Sequence, residues 1–248
     1  MLIFDFVVTT RYTPRYMFTV VCRILFLLVC SASVAFSKPS FNKVFGEDYK
    51  KAEKYMEDHG TYFEKASAYF KVDKRFLKAV VFPELIRYSQ FSDLLETHTL
   101  EWLYVEGGSK SADFSIGCFQ MKPSFVETLE GLVSSDESLK EEYGFLILNR
   151  SGSSFRKIRL TRLKNEKWQF VYLCCFLETA WKQFQLYRIN DEEELLRTFC
   201  AVYNAGFGHD LITLRKRAAI PAFPYGSRYP ASEQYLYSDV AVDYFRSH

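Results

Sequence analysis

From about residue 45 onward, apolar side chains recur at three- and four-residue intervals, the period of helices with one buried face. Between 48 and 70 they fall at Tyr49, Ala52, Tyr55 and Met56, then at Tyr62, Phe63, Ala66 and Phe70, with Gly60 dividing the run in two. Asp73 stands where an N-cap belongs, ahead of Phe76, Leu77, Val80 and Val81. Pro83 has no N–H, so it is expected to kink or end this helix one residue before Glu84. Residues 92–106 carry Leu94, Leu95, Leu100 and Leu103 at helical spacing. A Gly-Gly-Ser loop over 107–112 follows, and Pro123 suits the first turn of a helix through Phe125, Leu129 and Leu132. Residues 134–144 are polar and read as a connecting helix plus loop. The longest periodic run extends from Trp168 to Tyr187. Asp191 then caps a short helix to Val202, with acidic residues in its first turn. Residues 218–230 hold Pro221, Pro224, Gly226 and Pro230 and read as a loop, and a last helix covers 232–245. Period-two alternation is nowhere long enough to build a sheet. The pattern predicts an all-α protein.

Composition narrows the class. The chain has 248 residues, 48% hydrophobic and 18% aromatic, enough for one packed core. Rings in such number suit a bulky core and also a groove that stacks sugars. At the N-terminus Arg11, Arg15 and Arg23 lead into an apolar stretch, 24–29, followed by Ser31, Ala32, Ser33 and Ala35. This has the form of an export signal with Ser33-Val34-Ala35 as its cleavage pattern and Phe36 as the mature start. Met17 is an alternative initiator. Two other readings stay open: a lipoprotein acylated at Cys30, and an uncleaved anchor. All three place the protein in the periplasm or cell envelope. Residues 1–35 carry a net charge of +2 and so does the whole chain, which leaves the remainder near neutral. That excludes nucleic acid as the main partner, because a phosphate-binding surface needs a cationic excess. The basic run Arg156, Lys157, Arg159, Arg162, Lys164 and Lys167 is threaded by Leu160, Leu163 and Phe170 and reads as a solvated helix face. Beyond the signal lie Cys118, Cys174, Cys175 and Cys200. Bonding the neighbours Cys174 and Cys175 to each other on a helix would be badly strained; the other pairings, and free thiols, stay open. His59, His98, His209 and His248 are scattered. None pairs with a cysteine at a ligand interval, so neither a metal nor a cofactor is expected.

Three islands hold candidate chemistry. Glu84 follows the apolar run K-A-V-V-F-P, and a carboxyl at an apolar wall resists ionising, which suits a proton donor. The plainer alternative is a glutamate paired with Arg87, three residues on. The segment S-I-G-C-F-Q-M-K-P-S over 115–124 combines Gly117, which permits an unusual turn, with the polar Ser115 and Gln120 and the apolar Ile116, Phe119 and Met121. In A-V-Y-N-A-G-F-G over 201–208, Tyr203 and Asn204 end an apolar helix and Gly206 suits the turn after it.

The order of these islands, with the tyrosine-bearing segment 233–245 after them, resembles the catalytic domain of the soluble lytic transglycosylases, which cut the glycan strands of bacterial peptidoglycan. Ser115, Gly117, Gln120 and Pro123 match S-x-G-x-x-Q-x-x-P, and residues 203–206 match Y-N-A-G. The likeness covers roughly 73–130 and 170–246. It implies a lysozyme-like helical domain over 73–248, an N-terminal helical extension over 36–72 and a signal over 1–35. Glu84 takes the catalytic slot at a helix end. Ser115, Gln120, Met121, Tyr203 and Asn204 face the substrate, Gln120 and Asn204 orienting the sugar or its acetamido group. Tyr237 points into the groove to hold Glu84, and Tyr244 packs in the core. The implied reaction cleaves the β-1,4 bond after N-acetylmuramic acid, with Glu84 donating and then accepting a proton. Most glycosidases divide those roles between two carboxylates. A hydrolytic muramidase on the same fold and a non-catalytic glycan-binding scaffold are the rival readings. Peptidoglycan strands are the expected partner of a monomer, with envelope-spanning secretion or conjugation machinery a further candidate. The chain departs from the family in three places. Leu85 follows the glutamate where the family has serine, with Ser89 one turn on as a candidate substitute. Glu84 and Gln120 lie 36 residues apart, which makes 93–112 an added piece. The stretch 133–167 is also enlarged.

Overall fold

The computed structural model describes residues 40–91, 97–148, 152–224 and 231–248. The export-signal expectations, with Cys30 and Phe36, lie outside the described residues. Ser40–His248 forms one compact unit, and among its described residues there are twelve α-helices and no strand. The all-α expectation holds. None of the described helices is long and apolar enough to cross a membrane.

The unit is built around a central helix. Helices α1 (Phe41–Phe45), α2 (Glu47–Asp58) and α3 (Gly60–Phe70) lead into α4 (Lys74–Phe91). Asp73 opens α4 by accepting from the Arg75 amide at 2.8 Å. Phe76, Leu77, Ala79, Val80, Val81, Phe82, Leu85 and Ile86 are all buried, so α4 is apolar around its whole circumference, as a helix enclosed by others must be. Each such side chain contributes about 1.5–3 kcal/mol on burial. The helices over 47–70 share this core: Tyr49 meets Phe82 edge-on with centroids 4.8 Å apart, and Phe63 is buried against Phe119 and Phe170.

Pro83 neither ends nor splits α4, contrary to expectation. The helix runs through it for eight more residues. Proline still removes the N–H that would meet the Ala79 carbonyl, but burial on all sides holds the backbone helical. Glu84 therefore sits in mid-helix, not at a helix end.

Around α4 are α5 (Thr97–Gly107), α6 (Pro123–Ser135), α7 (Glu137–Tyr143), α8 (Ser153–Lys164), α9 (Glu166–Gln183), α10 (Glu192–Ala205), α11 (Leu211–Ala218) and α12 (Tyr237–Ser247). Pro123 is the first residue of α6, and Asp191 caps α10 by accepting from the Glu194 amide at 2.7 Å. In α12, Tyr244 stacks on Phe82 at 4.0 Å in the core.

The basic run over 156–167 is a solvated face only in part: Lys157, Lys164 and Lys167 are exposed, but the arginines turn inward. Arg159 is 0% exposed. Its Nε and Nη2 grip Glu130 of α6 at 3.1 and 2.7 Å, and Nη1 donates to the Tyr104 hydroxyl of α5 at 3.0 Å. Arg156 donates to the carbonyls of Val105 and Glu106, closing the end of α5. Arg162 donates to the Leu146 carbonyl and lies over the Trp168 ring. Charge spacing alone resembles a wet face, because the carboxylate that decides the matter is 29 residues away. The two enlarged stretches are thus tied together by α8. The four cysteines in the described part carry free thiols.

Candidate active site

Glu84 is 4% exposed. It is the polar residue in an otherwise apolar turn of α4, and its carboxyl opens onto a cleft of about 740 Å³. Burial pushes the carboxyl's pKa above the ordinary carboxylate value. Arg87 works against this by charge and by hydrogen bond, followed by a hydrogen bond involving Tyr237 and the charge of Lys122, yet desolvation outweighs them. The pairing with Arg87 that the spacing allowed is present, Nη1 to Oε1 at 2.9 Å. A raised pKa and an ion pair therefore occur at the same carboxyl. Leu85 is buried in the core. Ser89 does not replace the missing serine: its hydroxyl donates to Asp48 on α2 at 2.8 Å.

The segment 115–124 forms the opposite wall. Ile116 and Met121 exchange both backbone hydrogen bonds, at 3.0 and 3.2 Å, and the Gln120 amide donates to the Gly117 carbonyl, so the chain reverses within four residues. The turn places Gly117 at φ 69° and Gln120 at φ 51°, left-handed backbone that glycine adopts without strain. Gly117 is also required for space, since a Cβ there would meet the Gln169 side chain at 1.8 Å.

Gln169 escaped the sequence reading. It is fully buried on α9. Its Nε2 donates to the carbonyls of Ile116 (2.7 Å) and Leu163 (2.5 Å), while its Oε1 accepts from the Phe119 amide (2.7 Å). One amide thereby fixes the hairpin from behind. The signal was available: position 169 begins the stripe 169, 172, 173, 176 and 180, otherwise Tyr172, Leu173, Phe176 and Ala180. A glutamine on such a stripe must find buried partners. Beneath the turn, the Cys118 thiol is pushed up to about 12 by burial.

The remaining candidates divide. Ser115, Gln120, Met121, Tyr203 and Asn204 all line the cleft with Glu84. Ser115 and Asn204 are exposed and Met121 is buried in the wall. The Gln120 side chain is folded onto its own turn, Nε2 donating to the Gly117 carbonyl at 2.8 Å. The Tyr203 hydroxyl is spent on the Phe119 carbonyl at 2.8 Å, so it anchors the hairpin across the cleft floor. Asn204 Oδ1 lies 3.4 Å from Arg87 Nη1. Tyr237 is not on the cleft wall. It is the first residue of α12, buried behind Glu84 and Arg87, where it borders a second cavity of about 400 Å³. Its hydroxyl donates to the Val80 carbonyl at 2.9 Å and is also within hydrogen-bonding reach of the Glu84 carboxyl. Burial, the largest cause, and then the charge of Glu84 hold the Tyr203 and Tyr237 phenols well above their ordinary value, so both stay neutral.

Arg87, Lys122 and Asp113 complete the charged lining of the cleft. Asp113 is occupied at the start of α6, accepting from Ser124 N at 3.0 Å and Ser124 Oγ at 2.7 Å. No group of side chains among the described residues could hold a metal ion. The chemistry this arrangement offers is proton transfer by a buried acid, its pKa raised by desolvation, at the edge of an open groove. No protein-family model matches the chain, and no curated protein or solved structure matches it either.

Proposed function

We propose that this protein is a peptidoglycan lytic transglycosylase of the cell envelope, lysozyme-like in its groove, with Glu84 as its acid–base residue. The observation that carries the reading is the buried Glu84, its pKa raised by desolvation, at the edge of a cleft whose other wall is the S-x-G-x-x-Q-x-x-P hairpin and whose floor is Tyr203 and Asn204. A cleft of about 740 Å³ whose other carboxylate, Asp113, is bound to Ser124 suits a reaction that needs no second carboxylate. Neutral Glu84 gives its proton to the glycosidic oxygen as the C1–O bond breaks. The ionised carboxylate then takes the proton of the muramic C6 hydroxyl, whose oxygen closes on C1 to form the anhydro ring. The proton count returns to its start and no water is consumed. Tyr237 stands behind the acid in both steps. Its hydroxyl bonds the Val80 carbonyl and lies within reach of the Glu84 carboxyl, which it positions from behind.

The test is to incubate the full chain with purified peptidoglycan sacculi and weigh the released muropeptides. Anhydro-ended products, one water lighter than hydrolytic ones, are expected. Hydrolytic products would replace this reading with a muramidase. Binding to sacculi with no release would leave a glycan-binding protein.

A further inference from the structure

The second cavity, of about 400 Å³, has no part in the reaction above. Arg87, Asn204 and Ala205 line both it and the cleft, so it adjoins the cleft along these residues. It lies where α10, the end of α11 and the start of α12 meet. Its space exists because small side chains face one another there: Ala201 and Ala205 from α10, Ala218 from α11 and Ala222 from the chain beyond. A larger residue at any of these positions would take up the room. Ala201, Phe223 and Tyr237 are buried and form the inner surface, while Asn204 and Arg217 are exposed and stand at the mouth.

Its chemistry differs from that of the cleft. The cleft holds the carboxylates of Glu84 and Asp113. The described lining of the second cavity holds two arginines and no carboxylate. Its inner groups add no charge: burial raises the Cys200 thiol and the Tyr237 phenol above their ordinary values, and Ser238 Oγ accepts from Arg197 at 3.1 Å. Arg87 is committed to Glu84 and Asn204. The Arg217 side chain forms no hydrogen bond or ion pair among the described residues. The cavity therefore joins an apolar interior of methyl groups and rings to a cation at its mouth.

We propose that this cavity receives the first residues of the stem peptide of a muramic residue lying in the cleft, with Arg217 taking the peptide's free carboxylate. The inference rests on the glycan reading above and narrows its substrate to peptide-bearing strands. The stem leaves the muramic ring through the lactyl arm, at the side of the strand, so a strand bound beside Glu84 needs a lateral space for it. The stem opens with L-alanine followed by γ-linked D-glutamate. The alanine methyl suits an interior walled by alanines and the Phe223 ring. The γ linkage leaves the α-carboxylate of the glutamate free, and a guanidinium binds such a group in two-nitrogen fork geometry. A bare strand offers the cavity neither group.

The experiment uses the full chain as Glu84→Gln, which suppresses turnover. Three GlcNAc–MurNAc tetrasaccharides are titrated by calorimetry. One is peptide-free, one bears L-Ala–D-Glu capped at its γ-carboxyl as the methylamide, and one bears the same dipeptide with its α-carboxylate amidated as well. The amidated probe is expected to bind about 4-fold tighter than the peptide-free one, the gain from burying one methyl group. The charged dipeptide should gain a further 2- to 5-fold or so, the range for an exposed ion pair. Adding Arg217→Gln should remove the second gain and leave the first. Ala218→Leu, which fills the cavity, should remove both and leave peptide-free binding unchanged. Ala222→Leu fills the same space from another segment and stands in if a melt shows Ala218→Leu unfolded. Equal or tighter binding of the peptide-free probe overturns the inference and leaves the glycan reading standing. So does a charge preference that survives Arg217→Gln, or a stem preference that survives a folded cavity-filling variant. Binding of none of the three probes sinks the glycan reading and this inference together.

Discussion

Two buried arginine–glutamate pairs among the described residues are built in opposite ways. Arg159 meets Glu130 with two nitrogens, and the site is closed by further bonds: the Tyr172 hydroxyl to Glu130 at 3.2 Å, the Leu148 amide to Glu130 at 3.2 Å, and the Tyr104 hydroxyl to Glu127 at 2.8 Å. Four helices converge on a charge that is fully withdrawn from solvent. Arg87 meets Glu84 through Nη1, three residues apart on one helix, beside an open cleft. A pair satisfied on every side resists exchange and serves as a rivet. A pair bordering a groove, with its acid's pKa raised by burial, is within reach of whatever enters. Burial by itself does not distinguish a structural pair from a functional one; the surrounding bonds do.

The largest contrast should come from removing one ionisable group at the cleft. Glu84→Gln is expected to lower glycan release about 10²- to 10⁴-fold, the share of general acid–base help, with little loss of folding stability. The stability sign can be worked out. Burial raises the folded pKa of Glu84 above its unfolded value, so the neutral form favours folding. That contribution is present in acid and is lost as pH rises through the raised pKa. Glutamine has no such proton to lose. Thermal melts at about pH 5 and about pH 8 should show wild type losing more stability than Glu84→Gln over that interval. Near-wild-type turnover in the variant would remove Glu84 from the chemistry and make the two pairs alike.

Arg159→Met probes the other side of the comparison. It leaves Glu130 charged and buried without its partner, a loss of about 3–5 kcal/mol in stability. Urea denaturation should show that drop, while folded molecules keep their turnover, because no atom of Arg159 lines the cleft. An Arg159→Met protein of unchanged stability would mean the network is not a rivet.

Gly117→Ala is next in size. Alanine at φ 69° is strained, and its Cβ would collide with Gln169. Strain and crowding together should cost about 2–4 kcal/mol. Here stability and turnover should fall together, because the displaced hairpin is also the cleft wall. Circular dichroism melts beside the sacculus assay separate this outcome from a loss of activity alone.

Much of this architecture was legible from local pattern. The break at Gly60, the caps at Asp73 and Asp191 and the helix start at Pro123 follow from neighbours within four residues. Six residues that the resemblance, rather than local spacing, singled out in three islands line one cleft. What was not legible depends on partners far along the chain. Pro83 was expected to interrupt α4, but the neighbours that hold the helix together come from α2, α3 and α12. Ser89 stands one turn past Glu84, yet Asp48, 41 positions earlier, claims its hydroxyl. Arg159 looks solvated until Glu130 is brought to it, and Gln169 looks incidental until three backbone groups converge on its amide. Tyr237 was expected in the groove. Placing it at the first residue of α12 turns it behind Glu84 instead.

That placement gives Tyr237→Phe the smallest expected effect and the most discriminating one. The phenol makes one hydrogen bond to the Val80 carbonyl and reaches the Glu84 carboxyl, while its ring supports Arg87. Phenylalanine keeps the ring, so the guanidinium stays in position. Only the hydroxyl is lost, worth about 1 kcal/mol of stability. The Glu84 carboxyl then loses a contact that positions it, and turnover should fall severalfold with KM unaltered. Tyr244→Phe is the control, because Tyr244 stacks on Phe82 in the core and has no line to the acid. If both variants turn over at the wild-type rate, Tyr237 belongs with Tyr244 as packing, and Glu84 works without a positioning partner from α12.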